Sequence, residues 1–272
     1  YNPDDICTSI IQANNDLYPF GDCQEMLINS CLLGNVKFAK MAVGRGAVYD
    51  IIPVYEGNDN VPIFIACAYG HLNIIEYLVS LGVQPTNSQY ISKPITSACW
   101  HGHLNIVQYI LSKYADSGIN LDDCMDTACR GGHINIVEYL ISQGADPRAN
   151  GDMPLMRACN NGNLELVKYL MSQGADPVAG NNNTIVNACV SNNLELIEYL
   201  ISKGADFRVN RDNPLRMAVV CNKLHIVKYL IALGADARVI ERSELMSAYI
   251  CDNTAMLKYL AAQGVPVPAE WL

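Results

Sequence analysis

No Cys-x-x-Cys pair occurs anywhere in the sequence, so the close thiolate spacing of structural zinc sites is missing. No Gly-x-Ser-x-Gly elbow, phosphate loop or zincin motif occurs either. With them go the commonest marks of acyl transfer, phosphoryl transfer and metal-assisted hydrolysis. Basic residues are few: 18 Lys and Arg stand against 27 Asp and Glu, a formal charge of −9. That balance works against non-specific nucleic-acid binding, which needs cationic surface to displace counterions. Long apolar runs are also missing, because the longest are broken by Glu76, Glu138, Lys168 and Glu198. No segment therefore spans a membrane as a helix. No signal peptide is visible, and the first residue is Tyr1 rather than Met, as in a processed product. Histidine is scarce, with His71, His101, His103, His133 and His225 the full set. His101 and His103 suggest a metal pair, but the local pattern offers no third ligand, and the expectation is no metal, no cofactor and no catalytic residue.

What the sequence has is a period. A small residue recurs at Ser30, Ala66, Ala98, Ala128, Ala158, Ala188, Ala218 and Ala248, and from Ala98 onward every step is 30 residues. A fixed period of this size marks stacked supersecondary units rather than one core. Four residues later come Gly34, Gly70, Gly102, Gly132, Gly162, Asn192, Asn222 and Asp252. These types tolerate positive φ, so a first helix is expected to end there in a left-handed turn. Leu72, Ile75 and Leu78, like Leu164, Val167 and Leu170, give the apolar spacing of a second helix. Gly46, Gly82, Gly144, Gly174, Gly204, Gly234 and Gly264 stop it. Pro62, Pro94, Pro154 and Pro214 suit the opening of the first helix, with Asp123, Asn183, Asn213 and Ser243 one residue earlier in the sequence position of a cap. Asp146, Asp176, Asp206 and Asp236 form a Gly-Ala-Asp column and read as turn formers.

Pro-Ile-Phe-Ile-Ala-Cys-Ala-Tyr-Gly-His-Leu-Asn-Ile-Ile-Glu-Tyr-Leu at 62–78 and Gly-Gly-His-Ile-Asn-Ile-Val-Glu-Tyr-Leu-Ile-Ser-Gln-Gly-Ala-Asp at 131–146 resemble the ankyrin repeat. The terse Tyr-Leu-Ile-Ser-Gln-Gly-Ala-Asp form is most similar to ankyrin proteins of giant DNA viruses of the mimivirus kind. The resemblance implies an all-α ankyrin-repeat solenoid of about eight helix-turn-helix repeats over 25–266, with a cap segment at 1–24 and a capping tail at 267–272. Two departures stand out. The usual opening histidine is replaced by Phe64, Thr96, Asp126, Met156, Val186, Arg216 and Met246. The period also falls about three residues short of the family's roughly 33. The missing residues lie between Asp146 and Pro154 and their equivalents, where the family carries a β-hairpin, so shortened fingers are expected. The 47–61 connection, with Tyr55, keeps enough residues for a full hairpin, and the next, with Tyr90, is also long.

Cys31, Cys67, Cys99, Cys129, Cys159 and Cys189 all follow the register residue directly, and Val219 and Tyr249 take the same place later. Valine replaces neither a ligand nor a disulfide half, so the column reads as buried reduced thiols in an intracellular, reducing compartment. The segment at 4–11 reads as a short amphipathic helix that caps the first repeat or docks another protein. Trp271 and Leu272 are expected to cover the last repeat, whose atypical sequence suits a solenoid end.

The family binds partners on the concave face made by its first helices. Positions just before and two to three after the register alanine are expected to face that groove. They read Ile65, Ala68 and Tyr69; Ser97, Trp100 and His101; Thr127, Arg130 and Gly131; Arg157, Asn160 and Asn161; Asn187, Val190 and Ser191. Trp, Tyr and Arg are the commonest interface hot spots, so Tyr69, Trp100, His101, Arg130, Arg157, Asn160, Asn161 and Asn187, with Tyr55 and Tyr90 on the loops, are the expected partner-binding residues. The alternative is a half-buried aromatic beside two solvated arginines. The implied function is a non-enzymatic adaptor that binds another protein as a monomer, with no nucleic acid, membrane or small-molecule substrate. The alternative is a structural component, such as part of a virion, that self-assembles through its repeat surfaces.

Overall fold

The structure, a computed structural model, describes residues 23–50, 62–85 and 94–272, without the side chains of residues 116, 179, 181 and 182. The expected helix at 4–11, the greater part of the 47–61 connection with Tyr55, and Tyr90 lie outside the described residues. The chain divides into two compact units, residues 1–131 and 132–272.

The first unit holds α1 (Cys23–Leu33), α2 (Val36–Gly44), α3 (Pro62–Tyr69), α4 (Leu72–Ser80), α5 (Pro94–His101), α6 (Leu104–Lys113) and α7 (Leu121–Gly131). The second holds α8 (Ile134–Ser142), α9 (Ala149–Asn161), α10 (Leu164–Ser172), α11 (Ala179–Val190), α12 (Leu194–Ser202), α13 (Val209–Val220), α14 (Leu224–Ala232), α15 (Arg242–Ile250) and α16 (Thr254–Ala262). Among the described residues there is no strand. Within each unit, first helices pack on first helices: α1 on α3, α3 on α5 and α5 on α7, then α9 on α11, α11 on α13 and α13 on α15. The register alanines lie at these contacts fully buried, and Ser30 fits the same place by donating its hydroxyl to the Met26 carbonyl at 2.6 Å. Each second helix buries a strip such as Ile74, Ile75 and Leu78, or Leu166, Val167 and Leu170. Ile74 thus takes the depth expected of Leu72, which is half-buried.

The turn between the two helices is where one repeat grips the next. Gly34 and Gly70 have φ of +72° and +82°. A Cβ there would also lie 2.5 Å from the His71 ring and 2.6 Å from the His103 ring respectively, so glycine is required twice over. The rings occupy that space to bond backward. His71 Nε2–H donates to the Leu32 carbonyl and His103 Nε2–H to the Ala68 carbonyl, both at 2.9 Å. A carbonyl only accepts, so these bonds fix the tautomer. In the second unit asparagine does the same work. Asn163 Nδ2–H donates to the Gly132 carbonyl at 2.9 Å while its Oδ1 accepts from Leu166 N–H at 3.1 Å. Asn193 repeats both bonds, to the Gly162 carbonyl and from Leu196 N–H.

Several expectations need correction. Asn192 makes no left-handed turn: the helix closes at Ser191, in extended backbone, whose buried hydroxyl donates to the Ala188 carbonyl at 2.8 Å. The cap of α7 is Asn120, which accepts from Asp122 and Asp123 N–H, and Asp123 itself lies inside the helix. Ser243 also lies inside its helix, where Glu244 Oε2 accepts from Glu241 N–H at 3.0 Å.

In the second unit the fingers are stubs, as the short period implies. Asp146, Asp176, Asp206 and Asp236 each accept the N–H two residues on, at 2.8–3.0 Å, which bears out their role as turn formers. Asn150, Gly151 and Asp152 then follow in left-handed backbone, as do Asn210, Arg211 and Asp212. Buried Asp152 ties finger to finger: it accepts from Arg148 and from Asp176 N–H, the latter at 3.0 Å. At the C-terminal end Trp271 is buried against Tyr249, ring centroids 4.7 Å apart, with the Arg242 guanidinium 5.2 Å away.

All six cysteines of the column are fully buried, and Cys124 joins them. Burial pushes the Cys31 and Cys189 thiols up to about 12. Contact with Cys124 first, and burial second, raises Cys99. Among the described cysteines a thiol reagent at neutral pH is therefore expected to label exposed Cys251 first and the column only on unfolding. Rapid labelling of the column in folded protein contradicts its place in the core. Gly70→Ala is expected to cost about 1–2 kcal/mol or more, since it forces a left-handed backbone and displaces His103. Gly174→Ala has the same φ problem but open space, and should cost less. Urea melts of both variants check this.

Candidate protein-binding face

The C-terminal turn of most first helices leaves one or two positions exposed to solvent. In the first unit they present Tyr69, Trp100, His101 and Arg130, with Tyr69 58% and Trp100 41% exposed. The structure brings two of them together: the Arg130 guanidinium stands 5.5 Å from the Trp100 ring centroid, one repeat apart. The contact is a cation–π stack that holds both side chains in place. His101 is oriented from beneath. Its Nδ1–H donates to the Ser97 carbonyl at 2.9 Å and its ring lies parallel to His103, centroids 6.4 Å apart.

The position just before the alanine behaves differently from expectation. Ile65 and Ser97 are buried, because helix-on-helix packing covers that side. The Ser97 hydroxyl has no hydrogen-bond partner among the described residues.

In the second unit Asn160 and Asn161 are exposed, while Arg157 and Asn187 are half-buried. Asn187 Nδ2–H donates to the Asn183 carbonyl at 2.9 Å, and Ser191, expected on this face, is buried. Two features escaped the sequence reading. One is the pair between Arg216 and Glu244, on α13 and α15. The Arg216 Nε–H donates to Glu244 Oε1 at 2.9 Å, and a second N–H reaches the same oxygen. Arg216 fills the slot of the missing histidine, and Glu244 lies 28 residues on, two short of the period. The other is a run of exposed apolar residues, Val220 and Ile250, in the column of Trp100 and Arg130.

Among the described residues no group of three His, Cys, Asp or Glu is placed to hold a metal ion, and no helix is long and apolar enough to cross a membrane.

Comparison with known proteins agrees with this architecture. The family model described as ankyrin repeats matches in three copies, over residues 27–123, 124–181 and 185–269. The chain belongs to the ankyrin-repeat family. No curated protein matches it by sequence. Among solved structures it is similar to the human ASB11 ankyrin repeat domain, at 21% identity and a TM-score of 0.60, over 76% of this chain and 96% of that one. That likeness shows the fold. Ankyrin repeats generally mediate protein–protein interaction, and the family is a non-enzymatic scaffold.

The Arg216–Glu244 pair is expected to make the stability of the second unit depend on pH. Burial raises the Glu244 carboxyl, but hydrogen bonds from Arg216, Ser243 and the backbone outweigh it and hold the carboxyl below its ordinary value. A lowered folded-state value means that the stabilisation is complete above the unfolded glutamate range, about 4.3. It is lost as pH falls through the folded value. Glu244→Gln is expected to cost about 2 kcal/mol at neutral pH and to flatten the acid limb of the stability curve. Unchanged melting from pH 7 to pH 3 in both proteins contradicts this role.

Proposed function

We propose that the chain is an adaptor that binds a partner protein on the exposed side of its first helices, with Trp100 and Arg130 as the anchor. The observation that carries the reading is the large exposed indole with a guanidinium already ordered over it. Ordered aromatic and arginine side chains lose little freedom on binding, which is why such residues dominate interfaces. Tyr69 and His101 extend the same face in the first unit; Arg157, Asn160, Asn161 and Asn187 supply polar contacts in the second. The repeats of 25–266 present these side chains, with 1–24 and 267–272 as capping segments. The buried thiols suit a reducing intracellular compartment. The terse repeat form supports a source among giant DNA viruses and so a host-cell partner.

Trp100→Ala is expected to weaken the partner complex by roughly 2 kcal/mol or more. The protein's own stability should fall by less than about 1 kcal/mol, the scale of an exposed cation–π contact. Glu138→Ala, on the outer helix α8, should leave affinity unchanged. The partner is captured by affinity purification from the native cell and titrated by calorimetry. Unchanged affinity for both Trp100→Ala and Arg130→Glu defeats the proposal. Concentration-dependent self-assembly of the purified chain would favour the structural alternative.

A further inference from the structure

One outer helix differs from the others. On α2 and its closing residue, Lys37, Lys40, Met41, Gly44 and Arg45 follow the spacing of a single helix face. All five are exposed, Met41 at 46%, while Ala39 and Ala42 are buried on the opposite side. Every later outer helix carries tyrosine at the place of Met41, Tyr77 and Tyr109 among them, and each is half-buried. The structure shows how that place is covered. The Lys40 ammonium lies over the Tyr77 ring, 5.6 Å from its centroid and one repeat on. Lys168 and Lys228 reach Tyr199 and Tyr259 in the same way. Met41 has no described repeat before it to do this.

Charge and chain path say what lies there instead. In a chain carrying −9, this face holds three cations and no acid. None of the three forms an ion pair among the described residues. The chain enters the first repeat beside the same helix. The Gln24 side chain, at the start of α1, donates to the Val48 carbonyl and accepts from Val48 N–H, both at 2.9 Å. The residues before Cys23 therefore join α1 next to the C-terminal end of α2. That stretch, 1–22, contains Asp4, Asp5, Asp16 and Asp22, no Lys or Arg, and aliphatic residues such as Ile6, Ile10 and Leu17.

We propose that residues 1–22 dock along the exposed face of α2, their aspartates against Lys37, Lys40 and Arg45 and an aliphatic side chain over Met41. Exposed ion pairs are individually weak, but a tethered segment meets its site at an effective concentration in the millimolar range, so weak contacts are enough. A nucleic acid or anionic membrane reaching the same cations would be repelled by the net negative charge of the chain. The attraction is between solvated charges, so it fades with salt as the screening length falls to about 3 Å at about 1 M. The inference rests on the capping role proposed above for 1–24 and gives that role a surface. It uses no residue of the Trp100 face.

The test is carbodiimide cross-linking of the full chain, which joins a carboxylate to an amine in contact with it, followed by peptide mapping in a mass spectrometer. Equal parts of isotope-labelled and unlabelled chain separate links within one copy from links between copies. Links from Asp4, Asp5 or Asp16 to Lys37 or Lys40 are expected, within one copy. Their yield should fall at least fivefold in Met41→Asp and in Arg45→Glu, which keep both lysines, and at high salt. Trp100→Ala should leave it unchanged. Links spread equally over Lys113 and Lys168, links only between copies, or a yield that Met41→Asp and Arg45→Glu leave unchanged overturns the proposal. So does the absence of links to α2. If hydrogen exchange then still shows slowed amides in 1–22, the capping role survives on another surface and only the α2 site is lost.

Discussion

Everything in this protein depends on how closely one repeat can approach the one before it. The register alanines and the cysteines beside them set the separation of the first helices, because neither side chain projects far. The turn glycines then let the next repeat's histidine or serine lie directly over the backbone. The bonds made there, His71 to Leu32 and Asn163 to Gly132 among them, run only between neighbours. Stability in such an array is a sum of local terms and nearest-neighbour terms. A fault at one turn weakens one interface. It does not remove a common core, because there is none.

This arrangement limits which positions are open to a partner. In the first unit the position just before the register alanine is committed to packing at Ile65 and Ser97. The turn residues are committed to the neighbouring repeat. What remains free to vary is the exposed end of the first helix and the short finger. There the two units differ: aromatic and cationic side chains at Trp100 and Arg130, aliphatic ones at Val220 and Ile250. The fingers carry little beyond their own closure, since Asp146, Arg148 and Asp152 are occupied with each other.

The periodic features were legible in the sequence because each repeat solves the same packing problem with the same residue types. The alanine register, the left-handed glycines, the buried thiol column and the shortened fingers all follow from that repetition. The departures were less legible. Ser191 replaces a backbone turn with a side-chain bond, which spacing alone does not reveal. Asn120 caps α7 three residues ahead of Asp123, since a longer helix in that repeat shifts the start. The Arg216–Glu244 pair joins residues 28 apart, close to the period but off its register. The face itself was only partly legible: sequence placed Trp100 and Arg130 in one column, but their stacking depends on side-chain direction.

The central claim is that partners are held by the exposed ends of the first helices rather than by the outer helices. Hydrogen–deuterium exchange on the full chain, with and without its captured partner, tests this directly. Protection on binding is predicted at residues 65–69, 97–101 and 127–131, with no change along 72–80 and 104–113. Protection confined to 72–80 and 104–113 would place the interface on the opposite helices and contradict the account.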